Sequence, residues 1–560
     1  MLNKIISLLL CILILTSVFV ACDISNEVEQ TTEASTTTGE ISKEKETEAS
    51  TQTSAETTVS TTDTETLPET ETETESETES ETETDTIGPN ITICPPPDPH
   101  PKPDIFEDVY YGGYIFSMLA DDTIVDREFV DEEDGYLITD SILQRQYYVE
   151  EFLGIDFHGV TMAGGYKNAE EYASEIEAAT GAGCPYDLAL AHNLIAPMLA
   201  VKGLVRDLAE SEILNLYDTE QPWWSEELLN DTIVGGRVLW ISDTASVNNL
   251  HNMLCAFVNL EYFERINEGL DRDDLYNLVY DGRWTMENML LLAQDAYEDI
   301  KYEHEVQTND KDLDSYGIQA DSLGGNLEAW LYAAGFRQTK LNYKGTYEWA
   351  LNDEVVVKFI NWWQDALSDD DVDKQDGTRY KMFREGRAMF ALSNLGMAEK
   401  EIDIAFTVLP LPLCNYAIKN SYSTPLTNGY SSWIIPKAVK TEAFKRSATV
   451  LEVLAAEGNR RLAPVYFEVY LKRQTAARDP DIQKMFNIIR SSTVFDMGAL
   501  YSNVLTVETV SDNVSPSLAL HKVWAGDGTG DYADIETVWS KIEGTVTSKL
   551  KTIMTELLEY

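Results

Sequence analysis

The sequence predicts an α/β fold on largely parallel sheets, divided into more than one unit, and three observations carry that expectation. Residues 188–191 form a short continuous apolar run, the pattern of a strand buried on both faces. The run breaks at His192-Asn193, and a helical apolar pattern follows with Pro197 in its first turn and Gly203 just after its last. Strands and helices of this kind alternate along the chain, as βα units do. Finally, residues 383–392 repeat the theme with a turn, an apolar strand and then Ser393-Asn394, where a helix could start.

Taken in order, residues 114–119 read as a first strand ending in Ala120-Asp121-Asp122. Residues 142–152 carry helical spacing, 154–157 resume extended structure, and 170–179 form a helix ending at Gly181. After the central strand and helix, Pro222-Trp223-Trp224 leads into Ser225, a suitable N-cap. Residues 235–242 read as a hairpin or crossing strand, broken at 243–246 before the apolar run 253–258. A second unit begins near Phe263. There Trp284 and Met289 staple a helix capped by Thr285 and reaching Ala296. Helices follow at 327–334, which contains Trp330, and at 355–367 with Trp362-Trp363. Residues 406–412 and 428–436 are extended, and helices at 444–457, 463–473, 482–489 and 535–558 finish the chain.

The front of the chain is of another kind. Lys4 and the apolar run 5–20 are followed by Ala21-Cys22, a secretory signal too short to span a bilayer comfortably. Phe19-Val20-Ala21-Cys22 resembles a bacterial lipoprotein site, with Phe where such sites usually carry Leu, and makes Cys22 the lipidated first residue, a palmitate anchor. Residues 23–92 are nearly all Thr, Glu and Ser, with 20 acidic residues against 2 lysines, a net of −18. Such a stretch cannot offset its chain entropy by burial and is expected to be an extended spacer, with a proline-rich collar after it. Of the overall −56, about −39 remains on residues 93–560, which disfavours nucleic acid and anionic membranes as partners. Cys94, Cys184, Cys255 and Cys414 show no CxxC spacing, which argues against zinc and leaves their pairing open.

The order of short motifs resembles a known family. Tyr186-Asp-Leu with Gly203-Leu-Val-Arg-Asp-Leu downstream, Pro-Trp-Trp224, Gly282-Arg-Trp-Thr-Met-Glu-Asn, Phe383-Arg-Glu-Gly-Arg-Ala-Met-Phe, Leu409-Pro-Leu-Pro and Trp433-Ile-Ile-Pro-Lys look like the extracellular solute-binding lipoproteins of bacterial ABC importers. The nearest branch is the carbohydrate-type family 1, which includes maltose-binding protein. The resemblance implies a type II periplasmic-binding-protein fold with two discontinuous lobes, joined by crossing strands and closing over a ligand. It divides the chain into a signal (1–22), linker and collar (23–104), lobe 1 (105–242 and 432–478) and lobe 2 (247–429 and 479–560), with the C-terminal helices packed on lobe 2. It also implies a monomeric receptor on the outer face of the cell membrane, partnered by an ABC permease and a small solute such as an oligosaccharide.

Four polar loops follow strand candidates: Asp121-Asp122, His192-Asn193, Asp243-Thr244 and Ser393-Asn394. Facing lobes would bring them to one cleft, where polar side chains bond sugar hydroxyls and aromatic faces cover the C–H face of the ring. The candidate ligand contacts are Asp122, His192, Asn193, Asp243 and Asn394, with Trp330 and Tyr430 as aromatics; His192 reads equally well as a helix cap. Trp223, Trp224, Trp284, Trp362 and Trp363 read as core. No cofactor, metal or catalytic residue is expected. Asp310-Lys-Asp-Leu-Asp314 opens like a calcium loop, but Ser315 and Asp321 stand where Gly and Glu are wanted, so it reads as a solvated acidic loop. An exported glycoside hydrolase is the competing class, yet G-x-S-x-G is absent and His304-Glu305 lacks the second His of H-E-x-x-H. A sensor or adhesin on the same fold is a third reading.

Overall fold

The computed structural model describes residues 109–216, 223–224, 226–299, 302–303, 306–307, 314–319, 326–351, 354–366, 372–373, 381–399, 402–414, 421–471, 480–505, 507–508, 513–514 and 535–559. The signal, Cys22, the linker and collar, Cys94, Ser225 and half of the 310–321 loop lie outside them. No helix among the described residues is long and apolar enough to cross a membrane.

A first sheet is assembled from β1 (Tyr114–Asp121), β2 (Ile155–Met162) and β3 (Leu188–His192), all parallel with β1 in the middle. Helices α1 (Leu137–Leu153) and α2 (Ala169–Ala182) connect them, and α3 (Ile195–Val201) follows β3. All five residues of β3 are buried, as its unbroken apolar run predicts. α1 stops at Gly154, whose φ of +64° places it in the left-handed region open to glycine. The next helix runs past Gly181 to Gly183, which takes the same role at φ +96°.

The chain then passes α4 (Glu226–Thr232) and reaches α5 (Val247–Asn252) and β4 (Leu254–Asn259), which belongs to a second sheet. Residues 235–242 make single antiparallel bridges, Val234 to Arg237 and Ile241 to Trp433, and form no regular strand. After α6 (Leu260–Ile266) and α7 (Arg272–Tyr280), α8 (Met286–Ala293) begins at Thr285, whose side chain accepts from the Asn288 N–H. It ends three residues short of Ala296, because Asp295 turns the chain at φ +65°. Then come β5 (Tyr316–Gln319), α9 (Asn326–Ala333), the hairpin β6 (Thr339–Leu341) and β7 (Tyr347–Trp349), α10 (Glu354–Ala366), β8 (Val372–Asp373), β9 (Ala388–Asn394) and β10 (Phe406–Leu409).

The second sheet has the order β8-β5-β9-β4-β10, parallel from β8 to β9 and antiparallel on both sides of β4. Strand β11 (Ser431–Ile434) returns to the first sheet and pairs antiparallel with β3, so that Ser431 lies opposite His192. The largely parallel expectation therefore holds within each sheet and fails at the strands that carry the chain across. Helices α11 (Thr441–Glu457), α12 (Pro480–Ser491) and α13 (Ile535–Glu559) complete the chain.

Three apolar cores result. The first surrounds the β1–β3 sheet, the second one face of the β4–β9 sheet, and the third gathers Ile138 and Ile142 of α1 with Phe257 and Phe406 of the second sheet, Phe383 of the helical turn before β9, and Tyr466. α13 departs from the expected packing on one lobe. Its Trp539, Ile542 and Val546 sit in the second core, whereas Leu550, Ile553, Met554 and Leu557 sit in the first.

Candidate functional site

The carboxyl ends of β1, β2 and β3 lie side by side, with Asp121 opposite Met162. Asp121 ties them together. Its Oδ1 accepts from the Thr123 N–H at 2.9 Å and hydroxyl at 2.6 Å, and its Oδ2 from the N–H groups of Gly165 at 2.8 Å and His192 at 3.3 Å. With four donors on its two oxygens, this fully buried carboxylate has no capacity left for a ligand.

Asp122, by contrast, is exposed, and its Oδ1 accepts from the Gly164 N–H at 3.0 Å. Gly164 and Gly165 are thereby pinned to both aspartates. A Cβ on Gly164 would lie 2.1 Å from the Asp121 carboxyl, so only glycine permits this approach. Tyr166, which directly follows the pinned turn, is 65% exposed. Sequence reasoning missed Tyr166; the signal was Gly-Gly-Tyr directly after a strand.

His192 closes β3. Its Nδ1 accepts from the Leu194 N–H at 3.2 Å, which places the proton of the neutral ring on Nε2. Burial lowers its pKa, with the Asp121 charge opposing. The Nε2 side faces Gly429, where a Cβ added to the glycine would stand 4.0 Å away, and no hydrogen bond to Nε2 occurs among the described residues. Nδ1 thus bonds within the loop before α3, whose N-cap residue is Leu194 with no side-chain cap, so His192 does not cap that helix.

The other candidates divide. Asn193 gives its amide to its own chain, donating to Asn428 Oδ1 at 3.1 Å and accepting from the Gly429 N–H at 2.9 Å. Asp243 is likewise occupied: Oδ1 accepts from the N–H groups of Ala245 and Ser246, and Oδ2 from the Trp433 indole at 3.2 Å. Asn394, half-buried at the end of β9, donates only a long 3.5 Å bond to the Thr427 hydroxyl. Both aromatic expectations are corrected. Trp330 is 1% exposed with its ring 4.4 Å from that of Trp363, and Tyr430 is buried with its ring 5.6 Å from Phe495. Neither offers a face for stacking, because each is enclosed by partners distant in sequence. Burial also pushes the Tyr430 hydroxyl far above its ordinary pKa. Trp223, Trp224, Trp284 and Trp363 are core as expected, and Trp362 is partly buried against it.

No family model matches the sequence, and no curated protein matches it. Solved structures do match. The cyclic alpha-maltosyl-1,6-maltose binding protein from Arthrobacter globiformis superposes with a TM-score of 0.52 at 14% identity, over 79% of this chain and 100% of that one. The chain has the two-lobed periplasmic-binding-protein fold. Lower scores relate it to M. tuberculosis UspC (TM-score 0.48, 14% identity, 78% of this chain and 100% of that one). The galacto-N-biose-/lacto-N-biose I-binding protein from Bifidobacterium longum gives a TM-score of 0.47 at 13% identity, over 79% of this chain and 98% of that one.

Within this fold the crossings adjoin one another. Asn248 Nδ2 donates to the Gly429 carbonyl at 2.8 Å and the Ser431 hydroxyl at 3.0 Å, and Asn249 joins the Asp243 carbonyl to the Ser431 N–H. A second link reaches from the loop after β1 to the turn after β9. Arg127 donates two bonds to Glu399, at 2.9 and 3.1 Å, while His251 and Tyr466 bond Glu399 Oε1 at 2.6 and 3.2 Å. Burial alone would raise the Glu399 pKa, but bonds and charge from His251 and Arg127 outweigh it and hold it at about 2. No metal-binding group of three or more His, Cys, Asp or Glu occurs among the described residues. Asp314, from the calcium-like loop, accepts from the Tyr297 hydroxyl at 3.0 Å.

Proposed function

We propose that this chain is the solute-binding component of an ABC importer, anchored outside the cell through Cys22, which captures a sugar or oligosaccharide between its lobes and leaves it chemically unchanged. The reading divides the lobes at residues 243–247 and 429–432. One observation supports it most: a two-lobed binding-protein fold in which the loops that follow β1 and β2 carry the exposed Asp122 and Tyr166, and β3 ends at His192. Asp122 and His192 Nε2 suit vicinal hydroxyls, Tyr166 suits the C–H face of a pyranose, and Asn394 approaches from the second sheet. Capture would proceed by hinge closure, in which a ligand gains only its differential affinity for the closed form. The oligosaccharide named for the Arthrobacter protein makes maltose-type sugars the first to try.

A thermal-shift screen against a sugar panel tests the reading. A bound sugar at about 100 times its Kd stabilises by about 2.7 kcal/mol. A panel with no shift, or turnover of a chromogenic glycoside, would remove the receptor reading.

A further inference from the structure

The tripeptide Arg127-Glu128-Phe129 lies between the two sheets, and its side chains go three ways. Arg127 reaches Glu399, and Phe129 sets its ring against Trp433 at 6.2 Å and Phe157 at 5.3 Å. Glu128 enters the crossing, where it is fully buried and no donor among the described residues completes a well-formed hydrogen bond to its carboxyl oxygens, the Ser246 and Ser431 hydroxyls giving only weak support to the charged form. Its charged neighbour on α1 is Arg145, with Nη2 3.5 Å from Oε2. That guanidinium donates instead to the main-chain carbonyl of Glu128, and its Nε is unpartnered. Across from it stands Asp243 of the first crossing, with the Ser246 and Ser431 hydroxyls of the two crossings close by. Beyond Asp243, Arg490 of α12 donates to the Thr244 carbonyl at 2.7 Å and to Asn459.

A buried carboxyl without hydrogen bonds is costly as an anion and tolerable as an acid. The misaligned Arg145 compensates only partly, and Asp243 opposes ionisation. Burial is the largest influence here, then Arg145 lowering and Asp243 raising, with the Ser431 and Ser246 hydroxyls lowering slightly, and the balance pushes Glu128 up to about 7.

We propose that Glu128 is a proton-binding switch at the inter-lobe crossing: it holds a proton while the crossing is packed as described, and releases it to water when the lobes part and hydrate the carboxyl. The packed state binds this proton more tightly than the hydrated state does. Its advantage is therefore complete below the ordinary carboxyl value of 4.5, declines as pH rises, and is gone above about 7. No other group need react, since the proton passes between the carboxyl oxygen and solvent.

The full-length chain and its Glu128→Gln variant, neutral at that position at every pH, are unfolded in urea from about pH 5 to about pH 8. The wild-type folding constant is expected to fall by up to roughly a hundredfold relative to the variant over that range, and parallel curves would overturn the proposal. Arg145→Met removes the nearest cation and is expected to move the wild-type inflection to higher pH; an unmoved inflection also overturns it. Should the Gln variant not fold, infrared spectra of the wild-type protein supply the readout. A buried carboxylic-acid C=O stretch should fade as pH rises through the same window, and its absence at acid pH counts against the switch. These measurements need no ligand, so their failure and that of the sugar screen are separate results.

Discussion

At the level of single residues, exposure decides which side chains can meet a ligand. Tyr166→Ala removes a 65%-exposed ring and is expected to weaken sugar binding about 3- to 10-fold by calorimetry, the worth of about 0.5–1.5 kcal/mol of aromatic contact, without moving the Tm. Trp330→Ala should behave oppositely, costing about 3–5 kcal/mol in urea unfolding because a buried ring is lost from the second core. If Trp330→Ala left stability intact and abolished binding, its placement in the core would be wrong. His192 makes a third case. Its pKa is depressed by burial, so the stability linked to the neutral ring is present above the ordinary 6.5 and lost as pH falls below it, a loss that His192→Gln should abolish. The place of His192 was legible, because an apolar run ending in a polar pair marks a strand's end. The burial of Trp330 was not, since its covering partner Trp363 lies on another helix.

At the level of elements, the two-glycine turn after β2 holds three strand ends in register through Asp121. Gly164→Ala would drive a methyl into the Asp121 carboxyl and should cost about 1–3 kcal/mol in urea unfolding, while also loosening Tyr166 and reducing sugar affinity. An alanine variant with unchanged stability and affinity would show the turn to be passive. Helix starts and strand interiors were readable here because capping and burial are local, as at Thr285 and in β3. Residues 235–242 were harder to read. Their backbone bonds single residues such as Trp433, nearly two hundred positions away, and short-range periodicity carries no sign of that. The same holds for Glu128 and for Arg127 with Glu399, whose partners come from separate elements.

Across the whole molecule, the resemblance anticipated two lobes and an out-and-back path, and it misjudged the last helix. The apolar stripe of α13 is visible in sequence, but a stripe does not say whether one core or two receive it. Trp539 stacks on Trp349 of the hairpin at 5.2 Å and 4°, while Arg237 of the first unit donates to the Leu557 carbonyl at 2.9 Å. A helix that contributes side chains to both cores links their stabilities while leaving a hinge free to bend, so the two cores should unfold as one. Leu557 is fully buried in the first core and Ile542 nearly so in the second. Alanine at either position should cost about 2–5 kcal/mol. Coupling makes a further demand: Leu557→Ala should speed amide exchange not only in β1 and β3 but also in β4 and β9, which its side chain does not touch. Protection confined to its former level in the second sheet, with loss only in the first, would mean that the helix rests on both lobes without binding them together.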